Sequence, residues 1–195
     1  MAKSTTTQKI VAPSAESLAQ SAKAVQKGGL PPVHLWNPPH CGHIDMRIAR
    51  DGTWFYMGTP IGRPALVRLF STILRRDGDE YVLVTPVEKV GITVDDAPFV
   101  AVDVNAHDGN LIFETNVGDK VTAGPDNPLR VVRDPVTGEP SPYVLVRANL
   151  EALIDRKSFY RLVDMGEEAA HEGARWFGVR SLGAFFPIIP ADELP

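Results

Sequence analysis

The sequence predicts an α+β fold made by internal duplication: two related halves, each an antiparallel sheet packed by a helix. Three observations predict it. The stretch from Ile44 to Pro86 reads strand, turn, strand, helix, strand without a gap. The stretch from Phe99 to Val163 is β-rich and ends in a helical pattern. A short repeat links them. Arg47-x-x-Arg50-Asp51 opens the first hairpin and Arg130-x-x-Arg133-Asp134 the late one. Each leads through a strand to a similar helix start, Arg63-Pro-Ala-Leu66 and Arg147-Ala-Asn-Leu150. Asp95-Asp96-Ala97-Pro98 breaks the pattern, which divides the chain into an N-terminal tail (1–29), an α+β domain (30–96) and a β-rich domain closed by a helix (97–195).

The tail opens with a Ser/Thr-rich segment, Met1 to Lys9, that lacks the apolar core of a secretory signal. Ser14 caps a short helix to Gln26, with Leu18, Ala22 and Val25 on one face. Gly28-Gly29 ends it. Leu30 to Gly42 is a Pro/His-rich loop, which Trp36 anchors to the core.

Ile44, Met46 and Ile48 alternate with polar residues, Arg50-Asp51-Gly52 turns the chain, and Trp54 to Met57 returns. A helix then runs from about Arg63 to Arg76. Leu66, Leu69, Phe70, Ile73 and Leu74 share a face, Pro64 suits the first turn, and Gly78 suits a left-handed stop. Tyr81 to Thr85 and Val87 to Val94 are strands, the second interrupted near Gly91.

In the second half Phe99 to Asn105 and Leu111 to Thr115 pair across His107-Asp108-Gly109-Asn110, where Asp-Gly is a strong hairpin signal. Lys120 to Thr122, Leu129 to Arg133 and Tyr143 to Val146 are further strands. A helical segment starts at Asn149. Its apolar face changes phase across Asp155 to Ser158, from Leu150, Leu153 and Ile154 to Phe159, Leu162 and Val163. The helix either breaks there, with Ser158 as a cap, or is buried on two sides. Gly166 to Gly173 reads as a polar connector, Trp176 to Leu182 as a last strand, and Phe185 to Pro190 as an apolar strap.

Composition narrows the function. With 195 residues, 44% hydrophobic and 23% charged, the chain can bury a sizeable core. The net charge of −4 is made of interspersed signs, which excludes a basic face for a nucleic-acid polymer. No apolar run approaches the roughly 18 residues of a membrane span. A lone Cys41 excludes an intramolecular disulfide and fits a cytoplasmic setting.

The side chains offer two constellations. Arg63 and Arg147 stand before the two helix starts, and Arg156-Lys157 sits at the phase break. A guanidinium forms a bidentate fork for phosphate or carboxylate, and a helix N-terminus adds its own N–H groups. Trp54 or Tyr56 would stack on a base. The plain alternative is that these arginines pair with Asp45, Asp51, Asp134 or Asp155 and tie the halves together. The second constellation is His34, His40, Cys41 and His43. These are ligands for zinc or a related metal, but the spacing needs a third ligand from elsewhere. Cys41 as a nucleophile lacks an identifiable orienting acid. Glu168-x-x-His171 is half of a di-metal motif with no second half. No phosphate loop, calcium loop or nucleophile elbow occurs.

The strings CGHIDMRIARDGTWFYMGTPIGRPALVRLFSTIL, YVLVTPVEK, VDDAPF and RANLEALIDRKSFYRLV resemble a bacterial family, the domain of unknown function DUF1285. The resemblance covers most of the chain after Pro32. It implies a duplicated α+β core with a second half superficially like a pleckstrin-homology fold. It further implies a nucleotide-like ligand held between the halves, in signal transduction. The leading expectation is therefore a non-enzymatic binding module for a small anionic or nucleotide-like ligand, with Trp54, Tyr56, Arg63, Arg147, Arg156 and Lys157 as its residues and no cofactor assigned. The alternatives are a metal-binding or enzymatic protein using the His/Cys loop, and a ligand-free scaffold that forms a homodimer through an open sheet edge.

Overall fold

Local sequence signals account for the first helix. The computed structural model describes residues 13–26 and 28–194. The tail expected over Met1 to Lys9 lies outside them. Helix α1 (Ala15–Val25) starts at Ser14, whose hydroxyl accepts from Ser17 N at 3.2 Å while Ser17 Oγ accepts from Ser14 N at 3.1 Å. This reciprocal box satisfies two N–H groups that the helix leaves free. Leu18 and Ala22, one turn apart, are its buried residues.

The first half contains β1 (His40–Ile48), β2 (Trp54–Tyr56), β3 (Thr59–Pro60), α2 (Pro64–Thr72), β4 (Leu74–Asp77), β5 (Glu80–Val84) and β6 (Lys89–Val94). Its strand order is β3-β2-β1-β6-β5-β4. Helix α2 packs on α1. It is shorter than the expected Arg63–Arg76. The hydroxyls of Ser71 and Thr72 turn back to the carbonyls of Arg68 and Leu69, both at 2.7 Å. Such back-bonding competes with helix continuation. The Ile73 carbonyl then accepts from Val84 N at 2.9 Å, so sheet pairing begins one residue past the helix. Gly78 is left-handed as expected (φ 61), but it turns the β4–β5 hairpin rather than ending a helix.

The second half contains β7 (Phe99–His107), β8 (Asn110–Thr115), β9 (Lys120–Thr122), β10 (Leu129–Arg133), β11 (Pro140–Arg147) and β12 (Leu150–Ile154). Its order is β9-β8-β7-β12-β11-β10, which repeats the first sheet with every strand advanced by six. Both halves are thus two antiparallel meanders joined in the middle. The joint is a parallel pair, β1 with β6 and β7 with β12, so each sheet is mixed rather than purely antiparallel.

This topology corrects the phase of the expected repeat. Strand β7 is the counterpart of β1, so Arg47 and Arg130 hold different places, and so do Arg63 and Arg147. It also turns the expected helix at Asn149 into strand β12. Leu150, Ala152 and Ile154 are 2%, 0% and 3% exposed, a period of two that the apolar Leu153 between them hides.

Helix α3 (Arg156–Asp164) starts after the break, with Asp155 rather than Ser158 as its cap; the carboxylate accepts from Ser158 N at 2.7 Å. Strands β13 (Glu167–His171), β14 (Ala174–Ser181) and β15 (Ala184–Pro190) form a third, antiparallel sheet. The expected connector and strap are both strands of it. Pairing with β14 imposes strand geometry on Glu167–His171, and Arg180 and Arg175 pair with Glu167 and Glu168, each at 2.5 Å.

One continuous core runs through both halves, with Trp54 and Phe70 from the first and Phe99 and Phe113 from the second all buried. Trp36 packs against it from the loop. Among the described residues no helix is long and apolar enough to cross a membrane.

Candidate functional site

A groove lies between α1 and the segment leading into α2. Its volume is about 690 Å³, and its walls include Lys23, Tyr56, Gly62 and Arg63, with Glu16 as its one carboxylate among the described residues. That volume falls within the range of small-molecule sites. Arg63 is the N-cap residue of α2, and no side chain caps this helix end. Pro64 has no N–H and the Leu66 and Val67 amides donate to the Arg63 carbonyl at 3.0 and 3.2 Å, so the first turn offers the Ala65 amide and the positive end of the helix dipole. Among the described residues Arg63 and Lys23 make no ion pair. Tyr56 is half-buried on the same wall.

A smaller cleft of about 400 Å³ lies where the halves meet, lined by Arg50 on one side and by Asp155, Arg156 and Tyr160 on the other. The Arg156 guanidinium stands over the Tyr160 ring at 5.9 Å. Arg50 is already engaged: it donates to Ser141 Oγ at 2.8 Å and faces Asp96 at 3.3 Å. Tyr143 donates to the other oxygen of Asp96 at 2.8 Å, and burial together with this bond pushes its hydroxyl pKa up. Glu139 and Asp155 also face the cleft, so its charge balances.

The six expected ligand residues therefore separate. Tyr56 and Arg63 meet in the α1–α2 groove. Arg156 lies in the junction cleft, and Lys157 beside it is exposed. Trp54 is 1% exposed and stacks on Phe70 at 6.2 Å between ring centres, so it is core and has no face free for a base. Arg147 is committed as well. It pairs with Asp119, donates to the Ser71 carbonyl at 2.8 Å and covers the Phe99 ring at 4.7 Å. Its bond to Ser71 ties the halves together, as the plain alternative expected of these arginines, but the contact is a backbone carbonyl rather than one of the four aspartates named from sequence, and its ion partner Asp119 lies in its own half. Lys23 escaped the sequence reading. Its only signal was a place in the last turn of a short helix.

The histidine loop also resolves. His34 lies in a single 3₁₀ turn (Val33–Leu35) and is exposed, as is Cys41. His40 and His43 come together on β1, and Glu80 of β5 meets both, its Oε1 lying 3.0 Å from His40 Nε2 and 2.9 Å from His43 Nε2. Glu80 carried no sequence signal, because 37 to 40 residues of chain separate it from the histidines and only the β1-β6-β5 order closes that distance. Beside this cluster Asp77 accepts from Arg75 at 2.6 Å and 2.8 Å and from Lys89 at 2.9 Å. The Arg75 hydrogen bonds, above all, hold its carboxyl down at about 2.

Comparison with known proteins places this architecture. Residues 31–97 match the domain of unknown function (DUF1285), N-terminal domain, and residues 98–188 match the protein of unknown function (DUF1285), C-terminal domain. A crystal structure of a DUF1285 family protein from Silicibacter pomeroyi is 64% identical in sequence, with 90% of this chain and 96% of that chain covered and a TM-score of 0.81. The chain belongs to the DUF1285 family. A second DUF1285 family structure, from Shewanella baltica, is 29% identical over 61% of this chain and 90% of that chain, with a TM-score of 0.49. No curated protein matches the chain. The two DUF1285 matches meet between residues 97 and 98, in the connection between β6 and β7.

Proposed function

We propose that this DUF1285 protein is a binding module for a small anionic ligand, nucleotide-like in size, held in the groove between α1 and α2. The observation that carries this reading is the meeting of Arg63, Lys23 and the uncapped start of α2 in one groove. Two cations and a helix dipole face one carboxylate there, whereas the junction cleft sets two arginines against Glu139 and Asp155. A phosphate or carboxylate would take the Arg63 fork and the Ala65 amide at the start of α2. The Tyr56 ring would flank a base or other flat group. Because α1 packs on α2 and forms one wall of the groove, an occupant would fix α1 more firmly to the body, and a signalling role would read that change.

The test is calorimetric titration of the full chain with a panel of nucleoside mono- and diphosphates. Arg63→Ala combined with Lys23→Ala is expected to weaken binding at least tenfold, with Arg156→Ala near wild type. The reverse order would move the site to the junction cleft and overturn this placement.

A further inference from the structure

We propose that His40, His43 and Glu80 are the protein ligands of a divalent transition-metal site of the zinc class. The three donor atoms, two imidazole nitrogens and a carboxylate oxygen, all lie within 4.8 Å of one another. Two histidines and one carboxylate form a recurrent donor set for such metals. Zinc bonds of about 2.0–2.2 Å place tetrahedral donors roughly 3.3 Å apart. The Glu80 oxygen, at 3.0 and 2.9 Å from the two nitrogens, needs only a small withdrawal to admit an ion.

Two independent features of the sheet build this cluster. The first is a β-bulge. Residues three apart on a regular strand point to opposite faces. Here His40 pairs with Lys89 and His43 with Gly91, so three steps on β1 match two on β6. Gly42 sits inside the irregularity with a φ of 84°, and the bulge returns His43 to the face of His40, with ring centres 5.6 Å apart. The second is Gly91 beneath the cluster. A Cβ there would overlap the His43 ring and fall 2.6 Å from Glu80 Oε1. Only glycine leaves the donors room to converge.

His40 Nδ1 accepts from Gly42 N at 3.1 Å, which places the ring proton on Nε2, facing Glu80. Metal uptake therefore moves that proton to Nδ1 and turns the exposed Gly42 amide away. Three protein ligands leave a coordination position open. A shallow groove of about 550 Å³, lined by His43 and Glu80 with Asp79 and Thr93, borders the cluster. Asp77 also borders the groove, but Arg75 and Lys89 already hold it. The vacant position is the kind that binds water or substrate in a reactive zinc centre.

The test uses the full chain, purified without a histidine tag, stripped with chelator and titrated with Zn²⁺ by calorimetry. One equivalent is expected to bind. His43→Ala and Glu80→Gln should each weaken binding on the order of 100-fold. Gly91→Ala keeps all three ligands and should weaken it too, with circular dichroism confirming the fold. Absence of saturable uptake by the wild type overturns the proposal, and so does uptake indifferent to both His43→Ala and Glu80→Gln. Uptake lost in Cys41→Ser but kept in Glu80→Gln overturns it as well, since the ligands would then be those of the exposed loop.

Discussion

The guanidinium of Arg147 donates to the backbone carbonyl of Ser71 at 2.8 Å, so a side chain from the second sheet closes the end of the helix in the first. The same group pairs with Asp119 and lies over Phe99. This joint is one-fifth exposed on the Arg147 side (19%), where removing one partner strands the other with little water. Arg147→Ala is expected to destabilise the protein by about 2–4 kcal/mol, and Arg147→Lys by less. Urea unfolding measures both. A double-mutant cycle with Asp119→Ala should return a coupling above about 1 kcal/mol; additive effects would show that the pair is not a tie.

Gly52 and Asn116 form a second joint. Gly52 has a φ of 84°, and its carbonyl accepts from Asn116 Nδ2 at 3.3 Å. A Cβ at position 52 would lie 2.6 Å from that nitrogen. Gly52→Ala therefore combines left-handed strain with a clash, and it should cost about 1–3 kcal/mol. Adding Asn116→Ala removes the closest contact but neither the strain nor the 3.0 Å approach to Val100, so the double variant should recover part of the loss. Thermal unfolding of the three proteins decides it.

Asp77 sets an acid limit. Its carboxyl is held at about 2, below the ordinary 3.8, chiefly by Arg75. A lowered folded value means that the stabilisation is present above the unfolded value and is lost as pH falls from about 4 towards 2. With partial exposure allowed for, the contribution at neutral pH is about 1–2 kcal/mol. Asp77→Asn should remove it and flatten the loss of stability between pH 4 and 2, as read by urea midpoints across that range.

Trp54 is buried, and its Nε1 has no hydrogen-bond partner among the described residues. Trp54→Ala should cost about 3–5 kcal/mol through the cavity it leaves. Trp54→Phe keeps most of the packing and removes the stranded N–H, so its cost should fall well below that of alanine. Equal losses in chemical denaturation would show that the indole nitrogen is satisfied.

How much could be read before folding differs from element to element. The caps and tight turns were legible because their chemistry is local. Ser14 starts α1 through its own hydroxyl, and Asp108-Gly109 takes φ values of 49° and 74° at a hairpin turn. Glu172-Gly173 and Leu182-Gly183 take similar values, and those dipeptides were the available signal for β13 and β15. Membership of a duplicated α+β family was likewise readable, from strings local to each half.

Pairing partners were not readable. Residues 150–154 carry an apolar pattern that suits a helix or a strand, and Leu74 continues the apolar face of α2; the choice fell to β7, β11 and β5, which supply the missing hydrogen bonds. Sites depend on the same long-range choices. Arg63 and Arg147 look alike in sequence, each before an expected helix start, yet one faces a groove and the other is the end of a strand, consumed in a joint. Glu80 reaches His40 and His43 only because β6 lies between β5 and β1 and carries glycine at position 91. Short-range order arises from bonds a residue makes with its neighbours, whereas a site arises from groups that the sheet order brings together, and no window of sequence contains that order.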